Sequence, residues 1–294
     1  MALNALLKVL DDLSEQKQRR VQEHLKTKTP SEAVLAVLDT FKPERQTCPD
    51  CGSVDKVKHG RRAGRQRLKC KDCGRLYTEL TNTPLEGMRK PLETFVQFFK
   101  MVKEGKSVQK IGEECDISPT TAFYWRKNVM AFFSDLQEKR VLEGIVEVDE
   151  TYHFRSKKGR NVSSRNSRER GGSADKRGLS REQDCVLTLQ DRSGNTFMKL
   201  AGRGKPGLND IEQPLSHHAQ SDAVLCTDGV QAYGAFSRKY GVNRKRVKKT
   251  DESSYHLQNV NNLHSRLGQW IENFKGLSTK HLNKYVGFFS AVLA

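Results

Sequence analysis

Cys48, Cys51, Cys70 and Cys73 constrain what this chain can fold into more than any other residues. They stand as C-P-D-C and C-K-D-C with eighteen residues between them. Two CxxC knuckles at such a separation make a tetrahedral zinc site, with four thiolates at ~2.3 Å from the ion. The intervening G-S-V-D-K-V-K-H-G-R-R-A-G-R-Q-R-L-K is too short and too basic to build an apolar core. Its folding energy must therefore come from the metal. A zinc-held module this positive points to nucleic acid.

Composition agrees. The chain has 294 residues and a formal net charge of +17. That length corresponds to about two domains, and 35% hydrophobic residues suffice for a packed core. Clustered Lys and Arg bind phosphates by releasing counterions. Three of the seven cysteines lie outside the knuckles: Cys115, Cys185 and Cys226 sit in apolar surroundings and read as buried thiols. CxxC spacing in a chain this long argues against a disulfide framework and for a reducing, cytoplasmic compartment. The N-terminus M-A-L-N-A-L-L-K-V-L lacks the basic region of a signal peptide. No run of 18 apolar residues is available to span a membrane.

Four regions follow from the pattern. Residues 1–44 read as two helices, from Leu3, Leu6, Leu7, Leu10 and Leu13 at helical spacing and a helix start at T-P-S-E-A, 29–33. Residues 45–82 form the ribbon, with strands expected at 55–59, 66–69 and 75–80 and a turn-rich linker over 80–88. Residues 90–136 read as a helix ending at Gly105, a short helix, a turn around Cys115–Ile117, and a second helix capped by Ser118 with Pro119 in its first position. This is a helix-turn-helix pattern. Its second helix would offer Thr120, Thr121, Tyr124, Arg126 and Lys127 to DNA, with Ala122, Phe123 and Val129 packing inward.

Residues 142–294 change character. G-I-V-E-V-D-E-T-Y is a buried strand ending in carboxylates. An insertion at 155–181 carries ten basic and two acidic residues, a net +8, and reads as a loop. A hairpin follows at 185–201, then a helix near 208–219, a strand ending at Asp228, a helix, a basic strand or loop at 244–249, and helices at 257–274 and 279–292. Strand, hairpin, helix, strand, helix, strand, helix suits an α/β fold of the ribonuclease-H-like kind, in which the ends of separated strands meet.

The chemistry concentrates at those ends. Period two puts Glu147 and Asp149 on one face and Val146 and Val148 on the other. Asp228 closes V-L-C-T-D-G, and Gly229 eases the turn. Converging carboxylates of Asp149 and Asp228 suit Mg²⁺, a hard ion that takes oxygen ligands. Two such ions ~3.5–4 Å apart activate a water or a 3′-hydroxyl and stabilise the leaving oxygen. The basic segments, among them Lys157, Lys158 and Arg160 and then Arg244, Lys245 and Arg246, would hold phosphates without reading bases.

The motifs C-P-D-C…C-K-D-C with L-T-N-T-P-L-E, V-D-E-T-Y, T-D-G-V-Q-A-Y, and H-L-Q-N-V-N-N-L-H-S-R-L…F-K-G-L-S-T-K-H-L-N-K-Y resemble those of bacterial insertion-sequence transposases. In that family a zinc ribbon precedes a DDE-type ribonuclease-H-like domain. The resemblance covers roughly 30–290. It implies that Asp149 and Asp228 are the first two metal-binding acids, and that the protein binds terminal inverted repeats of double-stranded DNA, cleaves strands and joins them to target DNA. It also implies work on paired ends, as a homodimer or larger assembly on DNA, in a nucleoid-associated setting with no membrane.

The third position departs from the family pattern, which places a Glu there. Thirty-three and thirty-six residues beyond Asp228 stand Asn261 and His264. The resemblance admits an Asp-Asp-Asn variant. Either residue offers a neutral ligand in place of the third charge, and Glu272 is the nearest later carboxylate. The rival readings are a non-catalytic DNA-binding regulator derived from a transposase and a nuclease that cuts without joining. If the four-cysteine site is structural, a chelator that strips only zinc is expected to abolish site-specific DNA binding first. A gel-shift and cleavage titration checks this: lost cleavage with intact binding contradicts it.

Overall fold

The computed structural model describes residues 47–156, 178–247, 255–275 and 277–294. The helical pair expected over 3–40 lies outside the described residues. So does most of the basic insertion, including Lys157, Lys158 and Arg160. The chain divides into two compact units, Met1–Phe132 and Phe133–Ala294.

In the first unit the two knuckles share one local geometry. Gly52 N–H donates to Cys48 O at 2.9 Å, and Gly74 N–H donates to Cys70 O at 3.2 Å. Each glycine has a positive φ, 73° and 75°, which closes the turn after the second cysteine of its pair. Between the knuckles run β1 (Lys56–Arg62) and β2 (Arg65–Cys70), and β3 (Leu76–Thr78) completes an antiparallel sheet in the order β1-β2-β3. Ala63 and Gly64, at φ 50° and 76°, form the two-residue turn between β1 and β2. Positive φ at both centres matches the twist of a tight hairpin. Cys48, Cys70 and Tyr77 are buried together against Leu68, too small a core to stand without the sulfur site.

The segment after β3 is not the free linker its Thr, Gly and Pro content suggests. Leu80, Leu85 and Met88 are buried. Arg65 ties it down, donating to Met88 O at 2.8 Å and Lys90 O at 2.9 Å. Three helices follow: α1 (Leu92–Lys103), α2 (Val108–Glu114) and α3 (Pro119–Gln137). Gly105 has φ 72° and ends α1 by donating to Val102 O at 3.0 Å. Ser107 caps α2 and Ser118 caps α3, each accepting from the backbone N–H three residues on. The turn between α2 and α3 is close: a Cβ on Gly112 would lie 2.8 Å from Ile117 O. Ala122 and Val129 are buried as expected, but Phe123 is 40% exposed. From Ala122 the inward stripe runs on through position 125, and Trp125 packs edge-on against Phe98 with ring centroids 5.4 Å apart.

The second unit is a five-stranded sheet in the order β6-β5-β4-β7-β8. Its strands are β4 (Ile145–Phe154), β5 (Gln183–Asp191), β6 (Thr196–Arg203), β7 (Val224–Thr227) and β8 (Asn243–Arg246). β6, β5 and β4 pair antiparallel with one another, and β7 and β8 run parallel to β4. A helix enters each parallel crossover: α4 (Leu208–His218) before β7 and α5 (Gln231–Tyr240) before β8. Val146, Val148, Leu187, Leu189, Phe197 and Leu225 pack beneath them with Ile211, Leu215, Tyr233 and Phe236.

The opposite face takes α6 (Gln258–Glu272) and α7 (Thr279–Val292). Trp270 of α6 stacks among Tyr285, Phe288 and Phe289 of α7. Arg140 reaches the end of α7, donating to Ser290 O, and also to Thr196 O of β6. Cys115, Cys185 and Cys226 are buried free thiols. Among the described residues no helix is long and apolar enough to cross a membrane.

Two glycines separate packing from propensity. A Cβ on Gly287 of α7 would fall 2.7 Å from Ser134 Cβ and 2.8 Å from its Cα, whereas Gly268 of α6 has nothing within 4 Å. Gly287→Ala is expected to cost about 1–3 kcal/mol through overpacking. Gly268→Ala is expected to gain roughly 0.5–1 kcal/mol from helix propensity. Urea unfolding of the two variants checks the opposite signs.

Candidate metal centre and its surroundings

Register fixes where the strand-end carboxylates fall. β4 and β7 pair in parallel as Ile145↔Val224, Val146↔Leu225, Glu147↔Cys226 and Val148↔Thr227. One step further stand Asp149 and Asp228, on adjacent strands ~4.8 Å apart. Burial raises the Asp149 carboxyl to about 6, and the nearby Asp228 charge adds to that rise. Asp228 is half-buried, and its Oδ1 accepts from Val230 N–H at 2.8 Å, which holds the β7–α5 turn.

Glu150, next along β4, faces the α4/α5 side. Tyr233 donates its hydroxyl to Glu150 Oε1. Burial pushes this carboxyl up to about 7, despite the Tyr233 hydrogen bond, with Asp149 and Asp228 adding to the rise. Three carboxyl groups therefore crowd one end of the β4–β7 pair.

His264 comes to this place and Asn261 stands beside it. α6 lies over the Asp149 face of the sheet, with Val260, Leu263 and Leu267 buried. His264 Nδ1 is 4.0 Å from Asp149 Oδ2. Its Nε2 is 2.9 Å from the hydroxyl of Thr188, the residue paired with Asp149 across β4 and β5. Burial, with His153 nearby, lowers His264 to about 4, so the imidazole is neutral at physiological pH. Asn261 lies one turn earlier on α6 and is exposed. Glu272 is exposed at the far end of the helix, two turns beyond His264.

The basic strand flanks the same carboxylates. Arg244 donates from Nε to Thr227 Oγ1 and from Nη2 to Asp228 O, both at 2.6 Å. Arg246 pairs with Thr227 in register. A Cβ on Gly229 would lie 2.7 Å from Arg246 Nη2. That contact is with the far end of a flexible side chain and Gly229 has no left-handed φ, so neither the turn nor the guanidinium demands a glycine here. Lys245, on the other face, lies 5.6 Å from the centroid of the Tyr255 ring.

Sequence reasoning missed Glu147. It is fully buried and joins Arg192, His256 and Asn259. The signal was a Glu between two buried valines, on the Asp149 face of the strand.

In the first unit the four Sγ atoms lie within 4.8 Å of one another. Cys48 and Cys73 are 3.5 Å apart, and Cys51 and Cys70 3.6 Å. Tetrahedral ligands at ~2.3 Å from zinc stand about 3.8 Å from each other, so the site fits that ion. On α3, Thr120, Tyr124 and Lys127 are exposed, while Arg126 and Thr121 are half-buried. The Thr121 hydroxyl is 2.8 Å from that of Ser118. A cleft of ≈ 330 Å³ in the same unit is lined by Arg62, Arg67 and Arg89, beside Glu86 and Met88.

Similarity to known proteins agrees with the chemistry of the second unit. A protein described as uncharacterized, in transposable element ISH50 of Halobacterium salinarum, is 27% identical over 249 residues, which cover 82% of this chain and 83% of that one. Relatives are thus not confined to bacteria, as the sequence resemblance implied. The structure of the Mos1 mariner paired end complex with Mn spans 94% of this chain and 93% of its own at 13% identity. Its TM-score of 0.25 is too low to equate the folds. The family model for the ISXO2-like transposase domain matches residues 141–290, from just before β4 into α7. The chain belongs to this family of transposase domains.

Proposed function

We propose that this protein is a DDE-type DNA transposase whose active site is built on Asp149 and Asp228. The observation that carries the reading is the parallel register of β4 and β7, which leaves the two aspartates side by side one step beyond the last pair. The strand order, three antiparallel strands followed by two parallel ones, is that of a ribonuclease-H-like sheet. Two hard carboxylates favour Mg²⁺ or Mn²⁺ over softer ions.

Asp149 and Asp228 would hold the metal, and α6 would supply the third ligand. His264 is one candidate, with a neutral ring 4.0 Å from Asp149. Asn261, exposed one turn away, is within the reach of bound DNA. Bound divalent ions supply an activated water or 3′-hydroxyl and a stabilised leaving oxygen. The residues do the rest. Thr188 would orient His264, Arg244 would brace the carbonyl of Asp228, and Arg246, in register with Thr227, would add positive charge at the same end of the sheet. Lys157, Lys158 and Arg160 of the insertion would hold flanking phosphates.

The first unit would provide the address. Zinc on Cys48, Cys51, Cys70 and Cys73 would fold the ribbon, and α2 and α3 would act as a helix-turn-helix. Thr120, Thr121, Tyr124, Arg126 and Lys127 would lie toward the DNA. Two copies would engage the paired inverted repeats before joining them to target DNA. One observation favours a second reading: the third position carries no acid, which fits a DNA-binding regulator without chemistry.

Asp149→Ala and Asp228→Ala separate the readings. Each is expected to lower cleavage and strand transfer by at least about a thousandfold in Mg²⁺ or Mn²⁺, a loss of about 4 kcal/mol in transition-state stabilisation, with DNA-end binding retained. Labelled linear DNA with candidate ends gives the assay. Binding without chemistry in the wild type favours the regulator.

The acids also make the metal-free fold pH-dependent. A carboxyl raised from 3.8 to about 6 on folding disfavours its ionised form in the folded state. The folded state then holds the proton where the unfolded one has lost it, so stability falls as pH rises from about 4 to about 6 and stays low above. Asp149→Asn is expected to be more stable than wild type at pH 7.5 without metal, by on the order of 3 kcal/mol. Calorimetry at about pH 3, below both values, is expected to show the difference vanish.

A further inference from the structure

Glu147 is fully buried two residues before Asp149 and on the same face of β4. Its Oε2 accepts from the backbone N–H groups of Asn259 at 3.0 Å and Val260 at 3.1 Å. Its Oε1 accepts from Asn259 Nδ2 at 2.8 Å and from Arg192, which reaches over from the β5–β6 turn. The His256 ring stands 3.2 Å from the same oxygen.

The two N–H groups belong to the first turn of α6. Such groups have no partner within a helix, and their positive end favours a carboxylate. Leu257 occupies the N-cap position and makes no side-chain cap bond. β4 therefore supplies the cap that α6 lacks. The strand and the helix meet at two levels: Glu147 with Asn259, and Asp149 with His264. The stretch H-L-Q-N-V-N-N-L-H acquires a physical meaning. Its first His and first Asn grip Glu147, and its last His lies beside Asp149.

We infer that Glu147 is a positioning residue, whose buried carboxylate docks the N-terminus of α6 and so sets how closely His264 and Asn261 approach Asp149 and Asp228. Its consequence for metal use rests on the active-site reading above; the docking itself does not. Glu147→Ala would leave the N–H groups of Asn259 and buried Val260 at the base of α6 without this acceptor, while the Arg192 and Asn259 side chains reach solvent. Glu147→Gln keeps the volume and one acceptor oxygen.

Hydrogen exchange on the full chain, without DNA or metal, tests the docking. In Glu147→Ala the amides of 259–264 are expected to exchange at least about tenfold faster, with those of β4 and β5 unchanged, and Glu147→Gln is expected to fall between. In Mn²⁺-dependent cleavage, the half-saturating Mn²⁺ concentration is expected to rise about tenfold in both variants, with the rate at saturation largely kept. Unchanged exchange in 259–264 overturns the inference. So does an equal loss of protection across Phe133–Ala294, the mark of a residue that only fills the core, and so does an unshifted Mn²⁺ requirement. If Asp149→Ala cleaves as well as wild type, the active-site reading falls, while the exchange pattern still supports or overturns the docking.

Discussion

Everything in the second unit depends on four backbone pairs between β4 and β7. These strands are far apart in sequence and parallel, so their pairing needs a crossover, which the β5–β6 hairpin and α4 supply. Val146, Val148 and Leu225 hold the register by being buried on one face. A slip of one residue would turn those side chains to the other face and take Glu147 and Asp149 off α6. Core packing thus decides the alignment of the acids.

That alignment carries an electrostatic cost, and the surrounding residues show how it is met. Asp149, Glu150 and Asp228 crowd one place, and the carboxyls of Asp149 and Glu150 are pushed up. Tyr233 donates to Glu150 from the α5 side, and Arg244 and Arg246 bring positive charge from β8. Glu147, equally buried, is in a different situation because donors surround it. Carboxylates two residues apart on one strand thus differ in kind. Glu147 is satisfied by its own chain. Asp149 has a backbone hydrogen bond from Glu150 and the His264 ring 4.0 Å away, and under the proposed function an ion would complete its partners.

Much of this could be read from the sequence because it depends on local chemistry. Ser118 followed by Pro119 names a helix start, Gly105 a helix end, and CxxC followed by Gly a knuckle, and each forms where its residues put it. Asp149 and Asp228 stood out as acids after apolar runs. Phe123 was misread because apolar character alone does not choose between neighbouring positions of a helix; Trp125, two residues on, takes the inward place. The stretch 80–88 looked like a linker because its Thr, Pro and Gly signal turns. They do turn the chain, but around buried Leu80, Leu85 and Met88. Glu147 was out of reach for a different reason. Its partners Arg192 and Asn259 lie 45 and 112 residues away, and no local rule links them.

The order of the sheet leaves β8 at one edge among the described strands, and that strand reads Asn243, Arg244, Lys245, Arg246. A short edge strand crowded with positive charge cannot easily accept a strand from another molecule. The arginines that flank the acids thus also guard the sheet against sticking to itself. The two duties are tied to the same atoms. Replacing these residues by apolar ones would remove the proposed phosphate contact and at the same time bare a strand prone to clumping, so a precipitating variant would mimic a defect in DNA handling. Glutamine at the same positions keeps the edge polar and isolates the loss of charge.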